Sequence, residues 1–189
     1  MAVMRSPTIQ TLAVFIIVFA LQGVASLVGL VGLFVLAPPV SVEPWTIVTS
    51  VYAHASVGHL VSNSIALLIA GLLVERRTTP LRFHSFFLAV GALAGIAQVV
   101  STGLIGPGTA VLGGSGAVFG LFGYLLAGNT VASTLLDRVR LSPRAQFGLF
   151  VLAALVVTIA TGRPGVALVA HFTGLLLGLL AGAVGLLDR

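Results

Sequence analysis

Ser115 stands in Gly113-Gly114-Ser115-Gly116, directly ahead of the apolar run Ala117 to Ala127, and His171 stands in Ala170-His171-Phe172-Thr173-Gly174. A third polar set, His54, His59 and Asn63, lies in or just before an apolar run of its own. A hydroxyl beside an imidazole is the pairing used in nucleophilic catalysis, because serine is a weak nucleophile until a base takes its proton. The same side chains admit other uses. A serine at a helix start is a favoured cap, three histidines could hold a metal ion, and polar groups within apolar spans can line a solute path. Gly-x-Ser-Gly alone discriminates poorly in a chain with 23 glycines, so the elements that carry these residues have to decide.

Composition identifies those elements as membrane spans. Hydrophobic residues make up 58% of the 189 and charged residues only 7%, whereas soluble domains run near a quarter charged. Cysteine is absent, which excludes disulfides, zinc-thiolate sites and thiol catalysis. The net charge of +5 comes from arginines scattered through the loops, so topology explains it better than nucleic-acid binding does.

A hydrocarbon core needs roughly 20 helical residues to cross. The apolar runs then predict six spans in one domain, residues 1–189: Thr11 to Leu36, Val57 to Val74, Phe83 to Val100, Ser115 to Gly128, Ala145 to Thr161 and Val166 to Leu187. Ala37 to Ser56 reads as a loop with Trp45 at the interface. Ser101 to Gly114, rich in Gly, Thr and Pro, reads as not helical throughout, and Asn129 to Arg144 as a polar loop. The fourth run is too short to cross alone, which predicts a partly submerged helix start met by a dipping, protein-satisfied loop. Arg5, Arg76, Arg77, Arg82, Arg138, Arg140, Arg144 and Arg189 fall on one face and Arg163 alone on the other, which predicts cytoplasmic termini and a Ser115 loop opening on the external side.

Within this frame the polar residues converge. His59 and Asn63 are four apart on one helix face, with His54 partly round the cylinder. His171 lies about a turn and a half into the sixth run, and Ser115 is at a matching depth. Gly116 and Gly120, and Gly174, Gly178 and Gly182, repeat at four-residue spacing, which lets two helix backbones approach closely in lipid and permits a hydrogen bond between Ser115 and His171.

Taken together, His54-x4-His59-x3-Asn63, Gly113-x-Ser115-Gly116 and Ala170-His171-x2-Gly174-x3-Gly178 resemble the rhomboid family of intramembrane serine proteases in order, spacing and topology. The resemblance covers about residues 44–183. Glu75-Arg76 after the second span fits it too, while Trp45 is followed by Thr46 where the family often has arginine.

The resemblance implies an all-α six-transmembrane bundle acting as a serine endopeptidase on transmembrane-helix substrates near the external face, without cofactor or metal. It implies Ser115 as nucleophile and His171 as general base. None of the acids, Glu43, Glu75, Asp137 and Asp188, is placed to orient His171, so a dyad is expected, with Phe119 as a packing ring for the imidazole. The Ser115 backbone N–H, His59 and Asn63 would stabilise the oxyanion. Gly113, Gly116 and His54 would support the site, and Gly120, Gly174 and Gly178 the helix packing. His84, Ser62, Ser64, Gln98 and Ser101 receive no chemistry. Partners would be transmembrane substrates and the lipid bilayer, with no nucleic acid, and the location a cell membrane; substrate identity and oligomeric state are not written in the sequence. Competing readings are a non-catalytic binder of transmembrane helices, a His54-His59-His171 metal site, and a small transporter.

Overall fold

The computed structural model describes residues 5–128, 141–163 and 165–189. Those residues form seven α-helices: α1 Pro7–Leu27, α2 Thr46–Tyr52, α3 Val57–Val74, α4 Pro80–Ile105, α5 Ser115–Ala127, α6 Pro143–Ala160 and α7 Leu168–Ala183. Among them α1, α3, α4 and α6 are long and apolar enough to cross a membrane. At 13 residues, α5 is about 20 Å long, and α7, at 16, about 24 Å, both short of the roughly 30 Å hydrocarbon core.

Helix starts follow local chemistry. Ser6, Thr79 and Ser142 each accept a backbone N–H from the first turn of α1, α4 and α6, and each is followed by proline, whose missing N–H costs nothing there. Helix ends account for most departures from the sequence reading. The first apolar run does not continue to Leu36, because Gly29 takes φ +75° and closes α1. The Leu30 N–H reaches Ala25 O at 2.9 Å and the Gly29 N–H reaches Ser26 O at 3.3 Å, a Schellman ending. Gly185, at φ +60°, ends the last helix in the same way, short of Leu187.

Two further bounds are corrected: the third span ends at Ile105 and not at Val100, and Ala37 to Ser56 is not all loop. Residues 101–105 are helical, as the hydroxyls of Ser101 and Thr102 donate to Ala97 O (2.5 Å) and Gln98 O (2.8 Å) within α4, so their polarity does not stop the helix. The segment Ala37 to Ser56 contains the seven-residue α2, whose Thr46, Ser50 and Val51 are buried. The second span coincides with α3, Val57–Val74. The polar loop expected from Asn129 falls largely outside the described residues.

At the centre stands α5, packed against α3, α4 and α7, with its most extensive contact to α7. An aromatic cluster joins α1, α2 and α4: Phe87 stacks on Tyr52 (6.1 Å between ring centres) and on Phe83 (6.3 Å), and Phe15 meets Phe87 at 6.0 Å. At one end of the bundle the Tyr124 hydroxyl donates to Asp188 Oδ1 (2.7 Å), and Arg82 donates to the Asp188 carbonyl (2.6 Å). Arg189 ties this end of the chain to the α3–α4 connection, its side chain donating to Thr78 O (2.9 Å) and its backbone N–H to Arg77 O (3.1 Å). At the other end, residues 106–114 are held by protein: Leu36 and Val111 exchange backbone hydrogen bonds of 2.9 and 2.8 Å, and the Gly113 N–H donates to Ser50 O at 2.8 Å.

Candidate active site

Ser115 is the first residue of α5, and the N-cap position belongs to Gly114, which makes no side-chain cap bond. The serine hydroxyl is turned instead to α7, where Ser115 Oγ lies 3.0 Å from His171 Nε2. This distance depends on how closely the two helices approach. A Cβ on Gly174 would overlap the Gly116 carbonyl oxygen, and one on Gly178 would overlap that of Gly120. The far side of α5 is close against side chains of α4, since a Cβ on Gly116 would lie 2.7 Å from Ala94 Cβ and one on Gly120 2.6 Å from Val90 Cγ1. Gly123 completes the seam between α5 and α7, as its Cβ would strike the Leu175 carbonyl; its spacing from Gly116 and Gly120, at i+7 and i+3, is the signal that could have placed it there.

The imidazole of His171 is 9% exposed and lies against Phe119, with ring centres 4.2 Å apart and planes 25° from parallel. Phe119 is one turn beyond Ser115, so one helix supplies both the hydroxyl and the ring. The Nδ1 atom of His171 has no hydrogen-bond partner among the described residues. Glu75 is engaged elsewhere, accepting from the Ser6 hydroxyl and the Thr8 N–H, and Asp188 is bound to Tyr124.

The second polar set meets the loop in front of α5. The Ala55 N–H donates to His59 Nδ1 at 3.4 Å, which in the neutral ring leaves the proton on Nε2. That edge faces Gly113, where a Cβ would lie 2.6 Å from His59 Cε1, 2.9 Å from Nε2 and 3.7 Å from Asn63 Nδ2. Gly113 also has φ +133°, so both backbone conformation and space demand glycine. Asn63 is buried, and its Nδ2 has no partner among the described residues. Two N–H donors therefore converge on the backbone just before Ser115, where the positive end of α5 also points.

His54 is held away from the serine. Its Nδ1 donates to Tyr52 O (3.1 Å), its backbone N–H donates to Gln22 Oε1 (2.9 Å), and its ring lies edge-on between Phe15 and His59. Gln22 and Gln98 are buried amides that the sequence reading left without a role. Gln98 Oε1 accepts the Ala170 N–H at 3.2 Å, one residue before His171. The available signal was a lone amide inside an apolar run, which needs a partner when buried. Outside the site, His84 pairs with Gln10 (2.8 Å). Among the described residues no three histidine or acidic side chains are grouped as a metal ion would require.

Beside Ser115 lies a cavity of about 320 Å³, lined by Asn63 of α3, Phe119 and Phe122 of α5, Val157 of α6 and Leu175 of α7. Its wall is apolar except near Asn63, Ser115 and Thr161. The arrangement sets the Ser115 hydroxyl and the Asn63 amide at the edge of an apolar cavity, with the His171 imidazole hydrogen-bonded to that hydroxyl.

Comparison with known proteins identifies the family. The family model described as the rhomboid domain matches residues 41–187. The chain is 36% identical over 84 residues to the rhomboid protease GluP of Bacillus subtilis, covering 44% of this chain and 16% of that protein. It is 28% identical over 147 residues to RHOMBOID-like protein 6, mitochondrial, of Arabidopsis thaliana, covering 77% of this chain and 45% of that one. RHOMBOID-like protein 4 of the same plant is 28% identical over 145 residues, covering 75% and 34%. The matched stretch is thus less than half the length of each of these relatives.

Proposed function

Since this chain belongs to the rhomboid family, we propose that it is an intramembrane serine endopeptidase that cuts transmembrane helices with a Ser115-His171 dyad. The observation that carries this reading is the 3.0 Å approach of Ser115 Oγ to His171 Nε2, with the imidazole stacked on Phe119. His171 Nε2 accepts the serine proton as Oγ attacks the scissile carbonyl, and returns it to the leaving amine. Water then repeats the cycle on the acyl-enzyme. The oxyanion is met by the Ser115 backbone N–H, His59 Nε2–H and the Asn63 amide, donors of which each is worth about 3 to 4 kcal/mol in comparable sites.

The apolar cavity between α3, α5 and α6 suits the side chains of a membrane-spanning substrate. A substrate helix must unwind there, because its carbonyls are otherwise hydrogen-bonded within the helix and shielded from attack. In this reading α5 and α7 complete six spans, with α5 starting below the membrane surface. The arginine distribution supports cytoplasmic termini in a cell membrane, with the site opening to the external side.

The test is labelling of detergent-purified protein by a fluorophosphonate probe. Labelling of the wild type that is absent in both Ser115→Ala and His171→Ala is the expected result. Absence of labelling in folded wild-type protein would replace the protease reading with that of a non-catalytic binder of transmembrane helices.

A further inference from the structure

One stripe of α4 faces the seam between α5 and α7, and its residues recur every four positions. Val90 meets Gly120, and Ala94 meets Gly116. The third is Gln98, whose Oε1 accepts the Ala170 N–H at 3.2 Å. The first two contacts are steric, and a third apolar residue would extend them. Gln98 is a buried amide, only 6% exposed, and a polar group there is costly unless it is hydrogen-bonded.

The bond falls where α7 lacks support. The N-cap residue of this helix is Ala167, which has no side-chain acceptor, so the first-turn N–H groups depend on other parts of the fold. Ala170 contributes one of these groups, and the next residue is His171, whose own N–H closes the helix on Ala167 O at 3.1 Å. The imidazole is fixed at Nε2 by Ser115 and on one face by Phe119, while Nδ1 is unpartnered among the described residues. In a Ser-His-Asp site an acid on Nδ1 orients the ring. Here the backbone that carries the ring is held instead.

We propose that Gln98 is a positioning residue for the reaction at Ser115: by accepting the Ala170 N–H it fixes the first turn of α7 and so the reach and direction of the His171 imidazole. The proposal rests on the dyad reading given above. It is tested by the rate of fluorophosphonate labelling of the full chain, with the folded fraction measured by thermal melting. Gln98→Leu should label about 10- to 100-fold more slowly at an unchanged folded fraction, since a displacement of about 1 Å is enough for such a loss. Gln98→Glu, which keeps a side-chain oxygen able to accept, should stay within about threefold of wild type. Labelling of Gln98→Leu at the wild-type rate, or equal slowing of both variants, would overturn the proposal. Should Gln98→Leu not fold, Gln98→Asn, one methylene short of the Ala170 N–H, carries the same expectation. A wild type that labels beside an unaffected Gln98 variant leaves the dyad standing and removes only the role of Gln98. A folded wild type that does not label removes both.

Discussion

Between α5 and α7 the main chains themselves meet, with Gly174 against Gly116 and Gly178 against Gly120, and no room for a methyl group at Gly174 or Gly178. On the other flank of the cavity, α6 meets the bundle through side chains: Phe150, Ala154 and Thr158 form its buried stripe, and its one extensive contact is with α7. Most of its remaining surface, including Leu152, Val156 and Ile159, is exposed for lipid to cover. The difference separates two needs. A hydroxyl and an imidazole must be held to a fraction of an ångström, which rigid backbone contact provides. On the protease reading proposed above, a substrate helix would enter beside α6, the element packed along one edge.

Breaking the seam should have the largest effect. Gly174→Leu places a side chain where the Gly116 carbonyl stands, so α5 and α7 must separate at a cost of about 3 kcal/mol or more. Loss of both folded yield and probe labelling is expected, measured by thermal melting in detergent and by gel. Wild-type behaviour of this variant would show that the seam is softer than its geometry.

Removing chemistry while sparing the seam comes next. Ser115→Ala and His171→Ala should abolish cleavage of a transmembrane substrate while the melting temperature stays within a few degrees, because the backbone contacts at Gly174 and Gly178 still hold α5 against α7. Asn63→Ala should lower the cleavage rate by about a hundred- to a thousandfold, the range for loss of one oxyanion donor, with substrate affinity little changed. A fall in affinity with the rate intact would move Asn63 from the transition state to substrate binding.

The smallest effects should come from α6. Val157→Trp narrows the cavity beside Ser115 and should slow cleavage of a helical substrate by about tenfold, and labelling by the small probe by less. Ile159→Ala, at a residue 74% exposed, should change cleavage and stability by no more than about 0.5 kcal/mol equivalent. Equal losses at Val157 and Ile159 would remove the distinction between cavity and lipid face.

Much of the frame was legible because it is written in local chemistry. An apolar run bounded by a cap and a charged pair, as at Val57 to Val74, reads directly as a helix. The end of α1 was not legible, since Gly29 lies inside an apolar run and only its left-handed conformation ends the helix. The short α2 escaped because its seven residues show too little periodicity. For the site, residue types and spacing singled out Ser115, His171, His59, Asn63 and Phe119. They could not reveal that Gln98 reaches Ala170, a contact 72 residues distant along the chain.

From its sequence alone this protein was determined to be a membrane-embedded helical chain carrying a serine, histidines and an asparagine in spans that glycines allow to meet, because burial in lipid constrains composition and because helical spacing is local. The tertiary structure alone decided which atoms face one another: that Ser115 pairs with His171 instead of capping its own helix, that His59 presents Nε2 to Gly113, and that a buried amide on α4 secures the start of α7. Those facts depend on how far separate helices slide and rotate against each other, and backbone contact between distant segments sets that.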